Sequence, residues 1–222
     1  MRLAIFGLAT GGVAAALYLL AAVLHPPLLM FPHARTVGAT PVYSEAPIPG
    51  QVVAVIARAD ALTGASPLFT PAVLSRPVYL TDGGWRWRLL TFGSRAFGQS
   101  RPLVETIVIN RVDVAGDRVW NGRAGDAARS LSGVIAHERT HGLIRTRFGF
   151  LADRLYPTWV REGYCDHVAG ESTLSDAAAA ALVAEGRRTP ALAYYEARRR
   201  VEAALADNGG SVEALFADAL RR

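Results

Sequence analysis

His137 and His141 flank Glu138 in the run His137-Glu138-Arg139-Thr140-His141, a His-Glu-x-x-His pattern. Residues four apart on a helix project from one face about a turn apart, so both imidazoles can reach a single ion. Imidazole nitrogen suits zinc, and the carboxylate beside the pair can approach a water on that ion without ligating it. Those are the parts of metal-assisted hydrolysis: a Lewis acid, a water whose pKa it lowers, and Glu138 as general base. A pentapeptide can arise by accident in any helix. Here it lies among Leu131, Val134, Ile135 and Ile144 at helical spacing, a Val/Ile-rich stretch precedes it, and a further acid, Glu162, follows. The single cysteine, Cys165, leaves no intramolecular disulfide and no cysteine-based zinc site, so a metal is expected on His, Asp or Glu. Cys165 itself reads as a small buried packing residue, its thiol sensitive to oxidation if zinc is near.

With Glu162 included, the chain resembles the gluzincin metallopeptidases, in which the third zinc ligand is a glutamate on the helix after the motif helix. The resemblance is carried by His137, Glu138 and His141, and by Trp159-Val160-Arg161-Glu162-Gly163-Tyr164-Cys165-Asp166, with 20 residues between His141 and Glu162. It covers residues 131–170 and is one of superfamily. It implies Zn2+ held by His137, His141 and Glu162, a set that leaves the fourth tetrahedral position open for water. Asp166, one turn beyond Glu162, resembles the group's residue that hydrogen-bonds a ligand imidazole. Gly163, with no side chain, is expected to let the two helices approach. By analogy Tyr195 and Tyr194 are the candidates for stabilising the developing oxyanion, with His167, Tyr156 and Tyr164 behind them. His167, five residues from Glu162, is turned from the metal face and is not expected to ligate. The metzincin pattern requires a glycine and a histidine where this chain has Ile144 and Arg147.

The activity implied is hydrolysis of peptide bonds, with Glu138 taking a proton from water and passing it to the leaving amine. The strand Val104–Asn110 is a candidate edge for pairing an extended peptide, or else a plain core strand. Two other classes stay open: a zincin-fold interaction or regulatory module with structural or vestigial metal, and a metallohydrolase of non-peptide substrates.

The elements that must position these residues follow from pattern. Gln51–Leu62 reads as a helix, Pro77–Thr81 and Val104–Val112 as strands, Trp85–Phe92 as an amphipathic piece, and Arg118–Trp120 as a returning strand. From residue 126 the pattern is helical. Asp126 is the expected cap of a helix that carries the motif and stops before Gly149. A second helix opens at Pro157 and ends near Gly170; Thr173–Gly186, Pro190–Ala206 and Ser211–Leu220 are expected to follow. A small strand-bearing half and then a helical half predict an α+β, zincin-like domain over residues 41–222.

Composition bounds the rest. With 51% hydrophobic and 19% charged residues the chain is globular. Its net charge of +5 comes entirely from arginine, spread without the basic stripe or interleaved aromatics of a nucleic-acid binder. Arg198-Arg199-Arg200, flanked by Glu196 and Glu202, reads as a solvated helix face. Leu3–Leu24 is an uncharged run of 22 residues, long enough to span a bilayer and longer than a signal-peptide core. Residues 1–24 are therefore expected to be a transmembrane anchor or uncleaved signal, with the domain extracytoplasmic, the alternative being secretion after cleavage. Six prolines in residues 25–50 predict an extended tether over residues 25–40.

Overall fold

A computed structural model of the chain describes residue 13, residues 16–122 and residues 128–221. In chain order the elements are a helical segment at residues 16–24 (α1), β1 (His33–Val37), β2 (Thr40–Ser44), α2 (Val52–Gly64), β3 (Val78–Thr81), α3 (Trp85–Thr91), β4 (Gly98–Arg101), β5 (Thr106–Asp113), β6 (Arg118–Trp120) and β7 (Arg129–Ser130). Helices then follow: α4 (Leu131–Phe148), α5 (Ala152–Leu155), α6 (Thr158–Ala169), α7 (Asp176–Ala184), α8 (Pro190–Asp207) and α9 (Val212–Arg221). The expected order of a strand-bearing half and a helical half is what the chain adopts.

The strands form one mixed seven-stranded sheet in the order β1-β2-β3-β5-β6-β7, with β4 paired antiparallel to the first half of β5. Side chains alternate along a strand, so β3 and β5 each serve two layers. Val78, Leu80, Ile107 and Ile109 pack against Val52, Val55 and Ile56 of α2 and Val134 and Ile135 of α4, while Tyr79 and Val108 pack on the opposite face with Trp87 and Leu90 of α3. A further core, between α4, α6, α8 and α9, buries Ile144, Val160, Tyr164, Val201 and Phe216. Burying such a side chain contributes about 1.5–3 kcal/mol each, enough to fix the motif helix between sheet and helices.

Two expectations are corrected. Residues 25–40 are not a tether: Pro26 and Pro27 open a short 3-10 turn at Pro26–Leu29, and His33–Val37 is a strand of the sheet. Proline fits because each sits where no ladder donor is needed: in the first turn, or in β2 at Pro41, one residue outside the β3 pairing that begins at Val42. The stretch Val104–Asn110 is not the sheet's edge either. Within it β5 has β3 on one side and β4 on the other, so the edge lies at β4. Most of the segment 3–24, and Asp126, fall outside the described residues, but the motif helix begins at Leu131 with Ser130 as its N-cap, so Asp126 is not its cap. Among the described residues no helix is long and apolar enough to cross a membrane.

Candidate metal centre

The helix α4 is set by its ends. Ser130 is its N-cap, with its hydroxyl accepting from Gly133 N at 2.9 Å, and Asp117 receives Ser132 N and Oγ at 2.8 Å each, placing an acid at the helix's positive end. Gly149, at φ 99°, ends it. Arg139, within the motif and fully buried, donates to Asp60 at 2.6 Å and Thr40 at 2.7 Å, tying the helix to α2 and β2. This lock fixes the rotation of α4, and with it the direction of His137 and His141.

The second helix, α6, starts after Pro157 and ends on Gly170 in the left-handed conformation at φ 69°. It brings Glu162 to the imidazoles: Glu162 Oε2 lies 3.3 Å from His137 Nε2 and 3.6 Å from His141 Nε2. Tetrahedral zinc with ligands at about 2.0–2.1 Å separates them by roughly 3.3 Å, and both Glu162 distances lie near that value. Asp166, fully buried, takes His137 Nδ1 at 2.8 Å on the same oxygen that Arg129 Nη2 meets at 2.9 Å. That contact puts a proton on Nδ1 and turns Nε2 toward Glu162.

The electrostatics favour a cation. Burial disfavours a charge on His137, yet Cys165, Asp166 and Glu162 outweigh it and raise its pKa to about 10. His141 is also raised well above the usual histidine value, against burial, by Cys165, Glu162 and Asp153. Burial alone would raise Glu162, but the His141 and His137 charges hold it well below the usual carboxylate range. A proton and a divalent cation compete for such a site.

Cys165 offers a rival third ligand, since one donor atom each of His137, His141 and Cys165 lie within 4.8 Å of one another. The expectation that cysteine takes no part in a metal site is corrected here: the Cys165 sulfur lies within ligand reach of both imidazoles. Glu162 lines the open cleft with 14% of its side chain exposed, whereas Cys165 is 0% exposed.

The cleft has a volume of about 500 Å3. On one wall stands β4, whose Ser100 N donates to Glu138 Oε2 at 2.6 Å. On the other is Tyr194 of α8, with its phenol pushed up to about 12 by burial and by Glu162, so it stays a hydrogen-bond donor at neutral pH. Tyr195, its neighbour, points away and donates to Asp176 at 2.9 Å. The remaining aromatic candidates have structural places: Tyr164 bonds Ser66 at 2.7 Å, Tyr156 packs on Phe148 and Phe216, and His167 stacks on Tyr164. Gly163 does permit a close helix approach, but to α8: a Cβ there would stand 2.5 Å from Ala197 O.

Several residues of the site carried no motif. Asp153 stands 3.6 Å from His141 Nδ1 and is held by Arg145 at 2.9 Å; Arg161 lies on the cleft wall 3.5 Å from Glu162 Oε1. Arg129 supports Asp166 from a strand of two residues. The arginine run behaves as a solvated face, with Arg198 and Arg199 each 2.8 Å from Glu202 and Arg200 over the Trp159 ring. In comparisons with known proteins the chain matches no family model, no curated protein and no solved structure.

Proposed function

We propose that the protein is a membrane-anchored, gluzincin-like zinc peptidase whose domain lies outside the cytoplasm. The observation that carries this reading is the convergence of His137 Nε2, His141 Nε2 and Glu162 Oε2 in a cleft that also holds Glu138. Bound there, zinc would act as the Lewis acid, polarising the scissile carbonyl and acidifying water.

The chain's own groups supply the remaining chemistry. Glu138, next to the ligands, is the base that takes a proton from water and later delivers it to the departing amine. The hydrogen bond from Ser100 N, at 2.6 Å, orients its carboxylate. Tyr194, which also lines the cleft, is the donor assigned to the negative charge that grows on the carbonyl oxygen. Asp166 and Arg129 hold the His137 ring in the tautomer that leaves Nε2 free. An extended peptide laid along the outer side of β4 would add a strand there and pass Glu138. This takes the role first assigned to Val104–Asn110.

Zinc content separates the third ligand. The purified protein should hold close to one zinc per chain, and Glu162→Ala should lose most of it while Cys165→Ala keeps it. Retention in Glu162→Ala with loss in Cys165→Ala would overturn the assignment and close the site to hydrolysis.

A further inference from the structure

The amino-terminal helix leaves the domain abruptly. Residues 16–21 of α1 are all exposed, Leu17, Leu19 and Leu20 among them, and burial begins at Ala22. A helix turns about 100° per residue, so these leucines face several directions, and an apolar helix exposed all round belongs in hydrocarbon rather than water. The chain before it continues without a charged residue back to Leu3.

Where α1 meets the domain the joint is fixed. Ala22 and Leu29 are buried with Trp87, Leu90 and Val108, and Arg86 donates to Leu29 O at 3.0 Å and Met30 O at 3.3 Å. Arg101, the last residue of β4, donates to Val23 O at 2.5 Å. Its neighbour Ser100 is the residue that bonds Glu138. One strand therefore touches both the foot of the helix and the base in the cleft.

Exposed apolar side chains come from each segment that meets at this joint, and together they form what we term its apolar ring. Leu24 ends the helix and Leu28 and Met30 follow it; Trp85, 56% exposed, shares Arg86 with the Met30 carbonyl; and Leu103, 79% exposed, is two residues beyond Arg101. Tryptophan and arginine beside exposed leucine and methionine are the side chains that settle at a membrane boundary. Scattered surface leucines need no explanation, but a ring at the foot of an all-apolar helix does.

We propose that this ring seats the domain directly on a phospholipid bilayer, so that β4 and the cleft are held at a fixed place beside the membrane. The proposal rests on residues 3–24 being an anchor and is independent of the peptidase chemistry. The test uses the full chain in vesicles of phosphatidylcholine and phosphatidylglycerol, with bromine on the acyl chains close to the headgroups, and reads tryptophan emission. The wild type should be quenched, the quenching should be lost in Trp85→Phe, and it should persist in Trp159→Phe, whose ring is covered by Arg200 on the α8 side. Two results overturn the proposal: equal quenching of the wild type and Trp85→Phe, or no quenching while the protein floats with the vesicles. The second leaves the anchor standing and removes only the seating.

Discussion

Of the two tyrosines proposed to stabilise the oxyanion, the cleft is lined by Tyr194. Both tyrosines of the pair carry the same side chain, and a helix separates neighbours by about 100°, so only one can face the cleft. That one is Tyr194, while Tyr195 is tied to Asp176. A donor used mainly as charge develops affects turnover more than substrate binding. Tyr194→Phe is therefore expected to lower kcat by on the order of 100-fold with KM little changed, and Tyr195→Phe to change neither, in steady-state cleavage assays. His137, Glu138 and His141 are legible in sequence because their spacing is local and enforced by one helix. Asp153 and Arg129 are not, because they reach the site from separate elements and no local spacing links them to the motif. Arg139 was hidden for another reason: an arginine in a helix ordinarily marks solvent, and here its charge is buried against Asp60 and Thr40.

At the scale of elements, the site depends on the fit of α6 between α4 and α8. Gly163 lies against the α8 backbone at Ala197 and the side chain of Val201, so a methyl group there has no space. Gly163→Ala should cost about 1–3 kcal/mol and lower Tm by several degrees in thermal unfolding, despite the better helix propensity of alanine. An unchanged Tm would mean that α6 and α8 are further apart than described. The helical half was readable because breakers mark it, with Pro157, Gly149, Gly170 and Pro190 at its boundaries, although the cap of the motif helix is Ser130 and not the expected Asp126. The strand-bearing half was less so. Prolines in residues 25–50 signal interruptions, and interruptions between short packed elements look the same as those of a linker. The edge strand Gly98–Arg101 has no Val or Ile to announce it; it is a strand because β5 offers it a ladder.

For the whole molecule, a metal held at the proposed site between α4 and α6 would couple binding to stability. A ligand bound only by the folded state stabilises it by about 4 kcal/mol at a thousandfold excess over Kd. Chelation is thus expected to lower Tm by on the order of 10 °C, reversed by added zinc, and a Tm indifferent to chelator would speak against a tightly held ion. The order of a strand-bearing and a helical half was legible in the sequence, whereas the way α1 and β1 join the sheet was not, because those contacts depend on strand pairing between distant segments. The central claim is that Glu138 is the base of a metal-assisted hydrolysis at His137, His141 and Glu162. Its most direct test is peptide cleavage by Glu138→Gln protein loaded with as much zinc as the wild type. The account predicts equal zinc and a fall in kcat of at least about 100-fold. Cleavage at the wild-type rate with zinc fully in place would contradict it.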